Sequence, residues 1–302
     1  MSVATGDVAR LVALATMWSV SFVFLKVLVP ALGAVPTAAF RVTLAGAALV
    51  AWLALTGRNV DLRSHWRAYL FVGLTASAVP FVLFAHAAHV LPASVMSILN
   101  AATPLFATLL AARWLDEPLD ARKLAGIVLG VAGVALVTGG GAIEASPRGW
   151  MAVAACLAAT FCYAFSGVWL KRHAGALSPY AVAGWSQLLA GVVLLPAVAV
   201  LPPPGPVTPF VVANMLGLAL LCSAVAYLLY YRLIRDIGPT RTMTVTFLIP
   251  VFGIAWGVLL LGERITPAVV AGTALIVGGT WATLRGRPAS AGTRTPAGSS
   301  NE

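Results

Sequence analysis

The chain has 302 residues, 60% of them hydrophobic and 9% charged, with a formal net charge of +10. A soluble globular domain carries charge on about a quarter of its residues, so this composition excludes one and points to a bilayer. The basic excess would suggest nucleic acid in a soluble protein, but here the arginines and lysines punctuate apolar runs, and no nucleic-acid partner is expected.

Apolar stretches of about 20 residues, enough to cross about 30 Å of hydrocarbon, recur along the chain. Ten spans are predicted, at about 9–28, 35–55, 67–88, 93–113, 121–139, 150–170, 180–200, 209–231, 240–261 and 267–284. Each must be helical, because backbone groups in lipid are satisfied only within their own segment, and no strand-like alternation marks a barrel. The fold class is therefore an all-α membrane protein with ten transmembrane helices.

The first span carries Trp18, Ser21 and Phe22 near mid-depth and ends at Lys26. Its length and its partner in the second half argue that it is retained and not cleaved as a signal peptide. The second span holds Arg41, the deepest basic residue, about two turns from one end. Arg41 could pair with a substrate carboxylate, or it could snorkel outward or satisfy helix-end carbonyls. The third span closes on His86 and His89; a proton relay is one role for them and a tolerated interfacial histidine the other.

In the fourth span Asn100 stands four residues before Pro104, and in the ninth Thr246 stands four before Pro250. A proline inside a helix frees the carbonyl of the residue four earlier, so both halves offer a backbone and a side-chain polar group at mid-depth. That pattern fits the interrupted-helix sites of transporters, with Pro104 and Pro250 as hinges; bonding within or between helices is the alternative. The sixth span contributes Tyr163 and Ser166, and the eighth Ser223 and Tyr227. Amphipathic rings with a few hydroxyls suit a small solute that has apolar and polar parts. Packing is the plainer role for any one of them.

No Asp or Glu falls near mid-depth, which argues against a proton pump built on a carboxylate. Cys156, Cys162 and Cys222 all lie inside spans as small apolar fillers, with no disulfide framework or metal spacing, and no cofactor is implied. Residues 286–302 lack apolar periodicity and should form a disordered cytoplasmic tail.

The chain is written twice. Pro104 precedes Glu117 by thirteen residues, Pro250 precedes Glu263 by thirteen, and the two motifs are 146 apart. Trp18-Ser-Val-Ser-Phe-Val-Phe-Leu-Lys26 matches Tyr163-Ala-Phe-Ser-Gly-Val-Trp-Leu-Lys171 at a spacing of 145. The repeats are placed at residues 8–140 and 148–285. Ten spans in two copies gives five per copy, and an odd number makes the second copy enter the membrane from the other side. With the N-terminus inside, fifteen basic residues fall on the inner side and three on the outer, which places both termini in the cytoplasm. Inverted repeats supply two shapes of similar energy, so alternating access is the expected mechanism.

Glu117 and Glu263 fall at helix ends, each near an arginine, Arg113 and Arg264. An acid at a helix C-terminus needs a partner, and a gate or fixing salt bridge would supply one; a solvated loop carboxylate is the alternative. Gly126 with Gly130, and Gly253 with Gly257, read as small-residue packing pairs.

The two five-helix halves, the early Trp18-Ser-Val-Ser-Phe segment and the repeated Pro-x12-Glu followed by Leu124-Ala-Gly126 and Val270-Ala-Gly272 resemble the EamA family of the drug/metabolite transporter superfamily. The resemblance spans residues 8 to 285. It implies an inner-membrane carrier, often an exporter of amino acids or other metabolites, with a cavity between the halves. Arg41 breaks the symmetry, since the aligned stretch after Pro179 reads Tyr-Ala-Val-Ala-Gly184. The expected partners are a small-molecule substrate and the lipid bilayer, with a homodimer left open. An intramembrane enzyme finds no His-Glu-x-x-His and no paired mid-depth aspartates, a channel finds no ring of charges, and there is no P-loop.

Overall fold

A computed structural model describes residues 5–58, 62–141, 143–173 and 177–284. The predicted tail at 286–302 lies outside the described residues. The spans are α1 (Thr5–Leu32), α2 (Ala34–Leu55), α3 (Leu62–Ala87), α4 (Ala93–Trp114), α5 (Ala121–Gly139), α6 (Pro147–His173), α7 (Pro179–Val198), α8 (Pro209–Ile237), α9 (Val245–Leu261) and α10 (Pro267–Leu284). Among the described residues nine are long and apolar enough to cross a membrane; α9, at 17 residues, is extended by the short helix Pro239–Thr242. No strand is present among the described residues, so the chain is an all-α, multi-pass membrane protein of two inverted five-helix repeats. The end of the bundle that carries the N-terminus is called the basic end here, and the other the opposite end.

Local chemistry sets the helix boundaries. Proline occupies the first helical position of α7, α8 and α10, where its missing N–H costs nothing. Asp120 caps α5 by accepting from the Lys123 N–H at 2.8 Å, and Thr208 caps α8 from the Val211 N–H at 3.3 Å.

The packing obeys a pseudo-twofold relation between the halves. α2 packs along α7, and α5 along α10; α1 packs on α9 as α6 packs on α4, and α3 packs on α7 as α8 packs on α2. Glycines let these backbones approach, which drives association where lipid offers no hydrophobic gain. A Cβ on Gly46 of α2 would meet the backbone of Leu188, and one on Gly191, 145 residues later, would meet Thr43, 145 residues before Leu188. The predicted packing role of Gly126 holds, since its Cβ would lie 2.6 Å from the Gly279 carbonyl; Gly253 and Gly257 likewise admit α4, at Ser97 and Ser94, and Gly257 also makes room for the Glu263 carboxylate.

The helix interruptions are less symmetric than the prolines. α4 breaks at Ala101–Ala102, and Pro104 starts its second half. Pro250 instead lies inside continuous α9, and the ninth span breaks about two turns before it, at Met243–Thr244. The helix break therefore lies beside Pro104 in the first half but well upstream of Pro250 in the second. The sequence did not flag a second pair of interruptions, the π-helical turns Leu74–Ala78 in α3 and Gly217–Val225 in α8. Their residues correspond at an offset of 146, and the repeat Ser77-Ala-Val-Pro-Phe81 against Ser223-Ala-Val-Ala-Tyr227 spans them. Such turns cluster at functional sites.

The repeated glutamates follow one backbone device. Asp116 (φ 52°) and Gly262 (φ 64°) are left-handed, and the next residue's N–H returns to the carbonyl six earlier, Glu117 to Ala111 at 3.4 Å and Glu263 to Gly257 at 3.0 Å. Only glycine adopts this conformation freely. Asp116→Gly is expected to raise stability by about 1 kcal/mol, read as a higher melting temperature in detergent.

Candidate functional site

Two regions gather the residues singled out by the sequence: a cage around Arg41 inside the bundle, and a repeated glutamate and lysine at each end.

Arg41 of α2 is 7% exposed. Its Nε donates to the Ser223 Oγ at 2.9 Å, and its Cζ lies 3.7 Å from the centroid of the Phe81 ring. Ser223 belongs to the π-turn of α8 and also donates to the Leu218 carbonyl at 3.4 Å, so the interruption aims its hydroxyl at the guanidinium. Tyr163 and Tyr227 face the same charge. Tyr163 stacks on Phe84 at 6.2 Å, Phe84 meets Phe22 at 5.3 Å, and Trp18 meets Tyr227 at 6.4 Å and Tyr230 at 5.3 Å. The predicted residues Trp18, Phe22, Tyr163, Ser223 and Tyr227 thus share one cage with Arg41. Phe22 and Ser223 are buried, whereas Trp18, Tyr163 and Tyr227 keep part of their surface exposed.

Arg41 does not snorkel. A desolvated charge without a partner costs several kcal/mol, and the face of a ring returns about 2 kcal/mol. The cage leaves the guanidinium under-compensated.

The other predicted residues lie differently. Ser21 spends its hydroxyl on the Trp18 carbonyl at 2.6 Å, whereas the Ser166 Oγ, at the equivalent repeat position, is buried with no hydrogen-bond partner. The Asn100 carbonyl freed by Pro104 accepts from the Thr103 hydroxyl at 2.7 Å, and Thr246 donates to the Met243 carbonyl at 2.8 Å. The carbonyl held across helices is the neighbour, Ala101, by Thr280 of α10 at 3.1 Å. His86 is exposed at the opposite end with its ring 6.5 Å from His89, away from the cage. Among the described residues no three His, Cys, Asp or Glu side chains are grouped to hold a metal.

At the ends, neither glutamate is answered by the arginine near it in sequence. Arg113 and Arg264 are exposed and make no ion pair with Glu117 or Glu263 among the described residues. At the opposite end the Glu263 carboxylate accepts from the N–H of Ala93 (2.6 Å), the N–H of Ser94 (3.0 Å) and the Ser94 hydroxyl (2.5 Å). It supplies from α9 the N-terminal cap that α4 lacks. Beside it Lys26 donates to the Ala88 and Leu91 carbonyls, at 2.9 and 3.2 Å. Acid and base together clamp the α3–α4 turn between α1 and α9.

At the basic end Lys171, the repeat partner of Lys26, bonds Glu117 directly at 2.7 Å, with Lys123 at 3.6 Å. α1 packs on α3 and on the first half of α4, but among the described residues α6 has no comparable packing on α8 or α9. A cleft of about 170 Å³ at this end is lined by Trp114, Phe165, Val168, Trp169, Arg172 and His173.

The Lys171 hydrogen bond holds the Glu117 carboxyl below the usual carboxylate range. Its folded value is depressed, so the contribution is present above the unfolded value and is lost as pH falls through the folded one. The side chains of Glu117 and Lys171 are 34% and 65% exposed, so the pair is worth at most about 1 kcal/mol. The small melting-temperature deficit of Glu117→Gln should be fully present and flat above about pH 5 and should disappear as pH falls below the ordinary carboxylate range.

Comparisons agree with this architecture. A match to the EamA-like transporter family covers residues 8–139 and 150–285. A probable amino-acid metabolite efflux pump of Escherichia coli is 26% identical over 95% of this chain and 96% of its own. The uncharacterized inner membrane transporter YedA of Escherichia coli is 28% identical over 85% of this chain and 83% of its own. One solved crystal structure, 18% identical over 93% of this chain and 96% of its own, superimposes with a TM-score of 0.67 and shares the fold. With two family matches that coincide with its two five-helix halves, the chain belongs to the EamA-like transporter family of drug/metabolite transporters.

Proposed function

We propose that this protein is a secondary carrier that exports a small organic metabolite with polar and apolar parts, such as an amino acid, by alternating access between its two repeats. The basic end faces the cytoplasm, with both termini there, because fifteen basic residues flank the spans on that side against three on the other. The inner membrane is its location, in line with the named relative that resides there. The efflux named for another relative supports the direction.

The observation that carries the mechanism is the unequal treatment of the two repeat-related ends. Glu263 and Lys26 fasten the α3–α4 turn at the outer face, while Glu117 and Lys171 satisfy each other at the cytoplasmic face beside an open cleft. Exchange of those arrangements closes the inside and opens the outside, with Pro104 and the Met243–Thr244 break absorbing the movement.

The test is counterflow into proteoliposomes across a broad panel of amino acids and organic acids. Uptake of at least one labelled solute accelerated by the same solute inside is the expected result. No movement of any solute, or uptake indifferent to internal solute with unitary currents in a patch, would replace the carrier reading.

A further inference from the structure

We propose that Arg41 is the recognition site for a single carboxylate, and that the transported solute is a monoanion whose apolar body lies in the ring cage. This deepens the carrier reading and rests on it. The guanidinium has five N–H donors. One, on Nε, is used by Ser223, and it is the one hydrogen bond that the guanidinium makes among the described residues. The four donors on the terminal nitrogens form the fork that matches the two oxygens of a carboxylate.

The charge has no counter-ion in the protein. The titratable groups facing it are Tyr163, Cys222 and Tyr227, all neutral at physiological pH. Every described Asp and Glu lies in a loop or within two turns of a helix end, outside the cage. The position 145 residues on from Arg41 is Ser186, buried with its carbonyl against Gly73, so the second half brings no second cation. One uncompensated positive charge in an apolar cage balances one negative charge. A phosphate dianion would leave the excess reversed.

The cage also selects the rest of the solute. Phe81 fixes the guanidinium plane from one side at 3.7 Å. The half-buried Tyr163 and Tyr227 bring two hydroxyls near the charge, and Trp18 packs edge-on against Tyr227 to extend the apolar surround. An aliphatic or aromatic acid fits this arrangement; a free polyol or a polyamine does not.

The experiment compares matched probes by thermal stabilisation of the purified full-length protein: acetate, phenylacetate and indole-3-acetate, neutral phenylacetamide, and phenyl phosphate. Phenylacetate or indole-3-acetate should stabilise the wild type at concentrations at least about tenfold below phenylacetamide and phenyl phosphate, since a buried fork discriminates against a partner that leaves it unpaired. Arg41→Gln should abolish that preference and Arg41→Lys keep part of it. The wild-type comparison stands even if Arg41→Gln fails to fold. Equal response to phenylacetate and phenylacetamide, no response to any carboxylate, or an undiminished preference in Arg41→Gln would overturn the proposal. Flux of neutral or cationic solutes alone would sink this inference and leave the carrier standing, whereas absence of all flux would sink the carrier whatever the probes bind.

Discussion

Glu263→Ala will loosen the outer end of the bundle and cost about 1.5–3 kcal/mol, the range for hydrogen bonds to a charged group. Three hydrogen bonds vanish, two of them to the backbone N–H groups of Ala93 and Ser94 that open α4. Those groups have no other cap, because Pro92 precedes the helix and offers no side-chain acceptor. Lys26 loses its neighbouring counter-charge, although it keeps the Ala88 and Leu91 carbonyls. A fall in melting temperature should accompany at least tenfold faster labelling of buried Cys222, next to Ser223 in the cage, by an impermeant maleimide added at the outer face. Glu263→Gln, which retains one acceptor oxygen without the charge, should fall between. Unchanged labelling and melting in Glu263→Ala would show that the clamp carries no load.

Gly279→Ala should be strongly destabilising for the addition of a single methyl group. The added Cβ would run into the Gly126 carbonyl and lie 2.8 Å from the Gly130 nitrogen, both backbone atoms that no rotamer change can move. α5 and α10 must separate, at a cost of about 3 kcal/mol from overpacking. The intrinsic helix gain of Gly→Ala, about 1 kcal/mol, offsets only part of it. Gly278→Ala supplies the control, since nothing lies within 4 Å of its Cβ, and it should be neutral or slightly stabilising. Equal melting temperatures for the two variants would contradict the close approach of these helices.

The architecture was legible because hydrophobic length and charge placement act along the chain, one span at a time. Ten runs, their alternating loops and the 145–146 offset were enough to reach an inverted pair of five-helix bundles. The site was legible in part. Trp18 meets Tyr227, and Ser223 meets Arg41 because α2 packs beside the π-turn of α8, with Phe81 between Arg41 and Tyr163. What escaped was information carried between helices. Glu263 sits beside Arg264 in sequence, so local proximity suggested an arginine partner, yet the left-handed turn at Gly262 folds the carboxylate back toward α4. The Ser77-Ala-Val and Ser223-Ala-Val repeat was present at the same offset as the prolines, and it would have pointed to Phe81 and to the two π-turns. The proline symmetry pointed to Pro250 as a hinge, but the ninth span interrupts at Met243–Thr244, where the Thr244 and Thr246 hydroxyls donate to the Arg241 and Met243 carbonyls.

The central claim is that the two ends exchange closed and open shapes, and spin-label distances test it most directly. Labels at Val90 and Arg264 report the outer end, and labels at the repeat-equivalent Arg235 and Pro118 report the cytoplasmic end; all four positions are exposed. In wild type the outer distance should be short and the cytoplasmic one long, and Glu263→Ala should lengthen the first while shortening the second. Two distances that stay fixed, or that lengthen together, would contradict alternating access.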